Sequence, residues 1–233
     1  MNNIIKEFYD QVCFPGFYTQ EELNYHRPNI QNPYLLEIDR SLLDANTILD
    51  VGCGSGLITN LFADRYPDKT FTAIDFSAGI DYANQFSQQH NIRNTKFIKH
   101  DFTTFNTTEK FDTVICQGVL HHMPNYLTNI KKLKDLVNPN GILVLGVYHL
   151  LGKLAKKYFL INYQNAILYK DQELNPYETA FSFSQIKKMV GNQYKLLHAY
   201  PSTIPILAEA KSLLNYRNGG LITSLWKKYG QID

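Results

Sequence analysis

The stretch Ile48-Leu49-Asp50-Val51-Gly52-Cys53-Gly54-Ser55-Gly56 narrows the possible folds more than any other part of the 233-residue chain. It opens as a short β-branched and apolar run, the composition of a strand buried in a sheet. Three glycines at alternate positions then end the run. Glycine lets the backbone take positive φ and lets a ligand come close to the main chain. Residues 57–66 follow with apolar side chains at helical spacing. A strand, a glycine turn and a helix form the opening unit of an open α/β sheet, where ligands sit beyond the carboxyl ends of the strands.

The same alternation continues downstream. Residues 70–74 read as a strand, 78–89 as a helix, 96–99 and 111–116 as the third and fourth strands, and 126–136 as a helix. A fifth strand over 141–148 is opened by the turn Asn138-Pro139-Asn140-Gly141. This order predicts an α/β fold with a mostly parallel sheet of six or seven strands. The strands are continuous apolar runs, as expected when helices cover both faces. Upstream, 2–12 and 34–44 read as helices. Between them lies an aromatic, turn-rich loop with Phe14-Pro15-Gly16-Phe17-Tyr18, Pro28 and Pro33. Beyond Tyr148, a helix is predicted over 150–168, a capped helix over 185–190 and a sixth strand over 194–200. Residues 206–225 fit either two short helices or a helix and a strand. The chain divides into an N-terminal helical lid segment, 1–45, and a main domain, 46–233.

Composition limits the classes of function. Apolar residues make up 44% and charged residues 19%, an ordinary soluble mixture able to bury a core. The formal charge is only +2, but residues 150–233 hold 11 Lys+Arg against 5 Asp+Glu. That basic third suits an anionic acceptor or a membrane surface; a solvated helix face is the commoner use. Lys153, Lys156 and Lys157, and the cluster Trp226-Lys227-Lys228-Tyr229, are read in the commoner way. The three cysteines, Cys13, Cys53 and Cys116, have no zinc or redox spacing. No metal is therefore expected, and the compartment reads as reducing and cytoplasmic. The start, MNNIIKEFYD, is amphipathic rather than leader-like. The longest apolar run, 142–151, is broken by His149 and is too short to span a bilayer.

The glycine spacing separates two kinds of nucleotide site. Dinucleotide enzymes favour G-x-G-x-x-G, with room for a pyrophosphate at a helix N-terminus. Here the pattern is G-x-G-x-G, with Asp50 two positions before the first glycine. Asp75 ends the second strand, 19 residues after Gly56. Its carboxylate can accept hydrogen bonds from both ribose hydroxyls. Asp101 ends the third strand and precedes Phe102. Such a pair can hold the amino group and the face of an adenine. Asp50 has two readings: it orders the loop through backbone N–H groups, or it touches the ligand.

With these residues in place, the chain resembles the class I S-adenosylmethionine-dependent methyltransferases over residues 45–150. LDVGCGSG resembles the family's first motif, Asp75-Phe76-Ser77 its ribose-binding second, and Lys99-His100-Asp101-Phe102 its adenine-binding third. Residues 111–123, ending in Gln117-Gly118-Val119-Leu120-His121-His122-Met123, resemble the fourth strand and its loop. The resemblance implies a Rossmann-like sheet and S-adenosyl-L-methionine as cofactor. It also implies in-line methyl transfer that leaves S-adenosyl-L-homocysteine. It places Asp50, Gly52, Cys53, Gly54, Gly56, Asp75, Phe76, Ser77, Asp101, Phe102, Gln117, Gly118 and His122 around that cofactor. Apart from the resemblance, Tyr18 or Arg27 of the N-terminal segment is read as bonding the cofactor's carboxylate. A narrower similarity to one bacterial branch rests on Phe8-Tyr9-Asp10, Phe14-Pro15-Gly16, the VLHHM stretch, Gly146-Val147-Tyr148-His149, Gly152-Lys153-Leu154 and Asn175-Pro176-Tyr177-Glu178. It brings no single substrate with it. Asn140 departs from the usual glycine of the fifth-strand turn, which Asn tolerates. Asn175-Pro176-Tyr177 lacks the second proline of the N-P-P-Y motif and reads as a turn.

A proton acceptor is needed only where the methyl acceptor must lose a proton. Candidates near the carboxyl edge are His121, His122, Tyr148 and His149, and each also suits packing or a backbone bond. Tyr9, Phe14, Phe17, Tyr18, His26 and Arg27 suit a lid over the site. The favoured reading is methyl transfer to a small molecule or biosynthetic intermediate. Three alternatives stay open: a tRNA or other polyanion methyltransferase using the basic third, a non-enzymatic cofactor-binding scaffold, and, more distantly, a nicotinamide oxidoreductase. Oligomeric state is not legible.

Overall fold

The computed structural model describes residues 7–10, 14–26, 30–159, 177–204, 206–208, 211 and 220–230. Seven strands form one sheet: β1 (Thr47–Val51), β2 (Thr70–Asp75), β3 (Thr95–Lys99), β4 (Phe111–Gln117), β5 (Val137–Tyr148), β6 (Tyr194–Tyr200) and β7 (Leu221–Lys228). Their order is β3-β2-β1-β4-β5-β7-β6. The pairs from β3 to β5 are parallel, and β7 runs antiparallel to both β5 and β6. The strand order reverses between β1 and β4. The crevice of an open sheet lies at such a reversal, above the carboxyl ends. Here that point is the Gly52 turn beside Gln117.

Seven α-helices are described: α1 (Gln20–His26), α2 (Pro33–Leu42), α3 (Leu57–Arg65), α4 (Gly79–Gln89), α5 (Tyr126–Asp135), α6 (Leu150–Phe159) and α7 (Phe183–Val190). Successive strand residues point to opposite faces, so each central strand feeds two cores. Leu49, Val114, Leu143 and Leu145 join Ile130, Leu133, Phe183 and Ile186 on one face. Ile48, Ile115 and Val144 join Ile38, Leu42, Leu61, Phe62 and Phe86 on the other. Each fully buried Leu, Ile or Phe contributes about 1.5–3 kcal/mol. Their loss, not helix propensity, is what would release the helices.

Local signals set the helix ends. Asn32 accepts from the Tyr34 and Leu35 N–H groups ahead of α2, and Pro33 occupies the first turn. Ser182 and Gln185 make a reciprocal capping box on α7. β5 begins four residues earlier than its sequence pattern because Val137 already pairs with Phe111; the predicted turn at 138–141 is the register shift that follows, with Asn140 at φ 63.

The tail needed the structure. Within 206–225, residues 206–208 are helical, and a strand starts at Leu221 and runs on to Lys228. That strand inserts between β5 and β6, leaving β6 at the edge. Accordingly β7 is buried from Ile222 to Trp226, while β6 alternates with exposed positions. The predicted helices 2–12 and 150–168 are described only at 7–10 and 150–159. Arg27, Asn175 and Pro176 lie outside the described residues. No helix among the described residues is long and apolar enough to cross a membrane.

Candidate active site

A cavity of about 340 Å³ opens at the carboxyl edge of the sheet. The β1 turn supplies Asp50, Gly52, Cys53 and Gly54 to its wall, and the ends of β2 and β3 supply Asp75, Phe76, Ser77, Asp101 and Phe102. Gln117 and Gly118 come from β4, Tyr148 from β5, and His121, His122 and Met123 from a 3-10 turn (Leu120–His122) and its cap. Tyr9, Phe14 and Pro15 close it from the N-terminal side.

Hydrogen bonds fix the turn. The Gly52 N–H donates to the Ile74 carbonyl at 2.7 Å. Asp75 Oδ2 accepts from the Gly54 N–H at 2.8 Å, and its Oδ1 from the Ser77 N–H at 2.7 Å. Ser55 donates its N–H to the Phe14 carbonyl at 2.6 Å and its hydroxyl to the Gly16 carbonyl at 2.7 Å, which ties the N-terminal segment to the glycine turn. Asp101 Oδ1 accepts from Thr103 N–H and Oγ1 at 2.9 and 2.8 Å.

Asp50 is 2% exposed and accepts from Thr59 Oγ1 at 2.7 Å. Burial pushes its carboxyl up to about 6; the Thr59 bond opposes that and the Asp75 charge adds to it. The same burial pushes the Cys53 thiol well above its ordinary range and that of Cys116 up to about 12, so both stay protonated and unreactive. Gly118 has φ 79, and a Cβ there would project into open space. Two carboxylates at adjacent strand ends, a glycine cradle and the apolar faces of Ile74 and Phe102 suit a nucleoside with a polar tail.

The other end of the cavity is built from rings. His121 lies 4.0 Å from both His122 and Tyr148, centroid to centroid, and His122 lies 5.5 Å from Tyr148. His121 is 1% exposed, and neither of its ring nitrogens has a hydrogen-bond partner among the described residues. Burial holds it neutral, well below the ordinary histidine range, with His122 and Lys153 adding to the effect. Burial also pulls His122 down to about 4; Glu178 pulls upward and Lys153 downward. A segment far along the chain clamps this group through its backbone. Thr179 N–H donates to the His121 carbonyl at 2.8 Å and Phe181 N–H to that of Tyr148 at 2.9 Å.

Several predicted site residues lie elsewhere. A Cβ on Gly56 would come within 2.4 Å of Ala83 Cβ, so this glycine serves the close packing of α3 on α4. Tyr18 is buried behind the turn, donating to the Ser55 carbonyl at 3.1 Å and accepting from Asn60 Nδ2 at 2.7 Å. His149 is fully buried and is not on the cavity wall; its N–H donates to the Gly220 carbonyl. Phe17 is exposed. The basic cluster at the end is not a free patch. Trp226 is buried, and Lys228 Nζ donates to the Lys134 and Val137 carbonyls. Lys153, which the sequence places in water, is paired with the buried Glu178. Neither stands out as a site residue from sequence.

This strand order and this cavity over a strand-end glycine turn define a Rossmann-like α/β domain of the class I methyltransferase type. The chain belongs to the methyltransferase-domain family, whose model matches residues 42–199. Among curated proteins it is 28% identical to (S)-coclaurine N-methyltransferase of Papaver somniferum over 129 residues, 55% of this chain and 37% of that protein. It is 29% identical to malonyl-[acyl-carrier protein] O-methyltransferase of Acetivibrio thermocellus over 170 residues, 71% of this chain and 57% of that protein. The match to each thus spans less than two thirds of the relative's own length. Among solved structures, the plantazolicin methyltransferase BpumL, with a monoazolic desmethylPZN analog and SAH, superposes with TM-score 0.63 at 13% identity, covering 97% of this chain and 95% of that one. NodS of Bradyrhizobium japonicum WM9, an N-methyltransferase with S-adenosyl-l-homocysteine, superposes with TM-score 0.58 at 16% identity, covering 89% and 97%.

Proposed function

We propose that this chain binds S-adenosyl-L-methionine in the cavity and transfers its methyl group to a small molecule or biosynthetic intermediate, leaving S-adenosyl-L-homocysteine. The observation that carries the reading is convergence: the 52–54 turn, Asp75 and Asp101 line the same cavity as His121, His122 and Tyr148. The relatives support it, since the names of those above include N- and O-methyltransferases and the two structures hold the demethylated cofactor.

The cofactor supplies a methyl group on a sulfonium. The chain's part is to hold it and its acceptor in line, where much of the rate gain arises. In this reading Asp75 takes the ribose hydroxyls with lone pairs beyond those used by Gly54 and Ser77. Asp101 and Phe102 take the adenine, and Gly52, Gly54, Gln117 and Gly118 flank the amino-acid part. Asp50, drawn towards ionisation by an ammonium group, balances its charge. His121, His122 and Tyr148 border the acceptor. The N-terminal segment 1–45 acts as lid to the domain 46–233, with Tyr9, Phe14 and Pro15 at the cavity. A cytoplasmic setting belongs to the same reading.

A tRNA or other polyanion acceptor is less favoured, because Lys153 and Lys228 are engaged within the fold. Two measurements test the function. Calorimetric titration with S-adenosyl-L-homocysteine is expected to show one site, and NADH is expected not to compete. Labelled methyl from the cofactor is expected in the small-molecule fraction of a cell extract, not in RNA. Absence of binding overturns the cofactor reading. Label in RNA, with salt-sensitive affinity, overturns the acceptor reading. Binding without transfer to any fraction leaves a scaffold.

A further inference from the structure

Behind the acceptor end lies a charged group that methyl transfer as described above does not use. Glu178 has a side chain only 4% exposed and turns its two oxygens toward different neighbours, an ion-paired lysine and, beyond hydrogen-bond distance, an imidazole. Its Oε1 is ion-paired with Lys153 Nζ, and its Oε2 lies 4.0 Å from His122 Nδ1. An ion pair made only for stability gains little from such burial, because desolvating the carboxylate offsets the attraction. This one sits against the wall of the cavity, and its own segment bonds the backbones of His121 and Tyr148. The arrangement resembles neither a solvated lysine nor a packed histidine: a pinned carboxylate faces one nitrogen of an imidazole whose ring lines the site.

We propose that Glu178 is a positioning residue for His122, holding Nδ1 as the protonated nitrogen and leaving Nε2 to take a proton from the acceptor, which is therefore a hydroxyl or amine bearing that proton. The inference rests on the methyl-transfer reading. As the acceptor's lone pair bonds the methyl carbon, the C–S electron pair returns to sulfur, and the acceptor's proton passes to His122. The imidazolium so formed faces Glu178, and the 4.0 Å separation can close to a charged hydrogen bond. The groups facing His122 are His121 beside it, Tyr148 from β5, Lys153 from α6 and Glu178. Lys153 and Glu178 act on it with opposite sign. Lys153 thus fixes the carboxylate while keeping the resting imidazole neutral.

The test is nitrogen NMR of the full chain labelled at histidine, with His122 assigned by the signal lost in His122→Gln. At pH 7 the wild type is expected to carry its proton on Nδ1. Glu178→Gln should lose that preference and move the His122 midpoint down, by about one pH unit. Lys153→Met should move it up. Glu178→Asp, which keeps the charge, should retain the Nδ1 tautomer and guards against a Glu178→Gln chain that fails to fold. An Nε2-protonated wild type, an unchanged tautomer in Glu178→Gln, or shifts of the same sign in the Gln and Met variants overturns the proposal. The wild type and the Glu178 and Lys153 variants are also titrated with S-adenosyl-L-homocysteine, whose affinity should be the same in all of them, since neither residue lines the cavity. Failure of the wild type to bind it removes the methyl-transfer reading and the acceptor clause, while the tautomer result separately decides the coupling of Glu178 to His122.

Discussion

Asp75 Oδ2 accepts the Gly54 N–H at 2.8 Å across 21 positions of sequence, so the residue proposed to hold the ribose also holds the turn that shapes the cavity. Asp75→Ala strips acceptors from two N–H groups, those of Gly54 and Ser77. Each unmet donor costs about 1–3 kcal/mol, so stability should fall by roughly 2–6 kcal/mol in urea unfolding. Affinity for S-adenosyl-L-homocysteine should fall at least tenfold by calorimetry. An unchanged affinity would remove Asp75 from the ribose, and an unchanged stability would remove it from the turn.

Asp50 and His122 should give the fold opposite pH dependences. The Asp50 carboxyl sits at about 6 in the fold, above its ordinary 3.8. Its contribution is therefore present below the ordinary value and lost as pH rises through 6. His122 sits at about 4, below its ordinary 6.5, so its contribution is present above 6.5 and lost as pH falls through 4. Each shift of some two units corresponds to roughly 3 kcal/mol. His121 is lowered too and adds to the histidine side. Wild-type melting temperature should thus rise with pH between 4 and 6.5. Asp50→Asn should steepen that rise and stabilise the chain at pH 7.5 but not at pH 4. His122→Gln should flatten it. Thermal melts at three pH values check all of this; an Asp50→Asn difference that stays constant with pH would disprove the raised carboxyl.

The parts of the molecule legible in the sequence are those governed by neighbours in the chain. β1, β2 and β4 are buried on both faces and so read as continuous apolar runs, and Ser182 with Gln185 spells out its own cap. That Asp75 and Asp101 line one cavity is legible because each stands at or just past the carboxyl end of neighbouring strands of a parallel sheet. The insertion of β7 between β5 and β6 is not, because antiparallel pairing is decided by which sheet edge is open rather than by the strand's own residues. Tyr18 misleads for a similar reason: an aromatic phenol near a site looks like a ligand contact until Asn60 and Ser55 are seen around it. Glu178 is one of only 5 acidic residues after position 149 and directly follows Asn175-Pro176-Tyr177. That isolation in a basic third, with the similarity of Asn175-Pro176-Tyr177-Glu178 and Gly152-Lys153-Leu154 to one bacterial branch, was the signal available, and its partners lie on other elements.

Two glycines of the cavity wall should respond differently to a methyl group. Both Gly54 and Gly118 have positive φ, at 55 and 79, so alanine costs roughly 1–2 kcal/mol at either. At Gly54 the new Cβ would also lie 2.1 Å from the Phe14 carbonyl oxygen, a backbone atom that can yield only by moving the N-terminal segment. At Gly118 it meets nothing within 4 Å. Gly54→Ala should therefore destabilise markedly more in urea unfolding. Gly118→Ala should keep most of its stability and lose about tenfold in S-adenosyl-L-homocysteine affinity, because the methyl occupies cavity space. Equal stability losses in the two variants would contradict the contact with Phe14.

Tyr18 separates support of the site from contact with its occupant. Its hydroxyl donates to the Ser55 carbonyl and accepts from Asn60 Nδ2, and Asn60 also donates to the Ala83 carbonyl at 3.0 Å. One phenol thus ties the glycine turn to α3 and, through Asn60, to α4. Tyr18→Phe leaves the ring in place beside Phe86 and Tyr82 but removes both bonds. Stability should fall by about 1–2 kcal/mol, the size expected for buried hydrogen bonds broken on one side. Affinity for S-adenosyl-L-homocysteine should stay within about twofold, because the remaining bonds of Ser55 to Phe14 and Gly16 still hold the turn. A tenfold loss of affinity at unchanged stability would instead return Tyr18 to the cofactor carboxylate, with the lid closing further over the cavity when it is occupied.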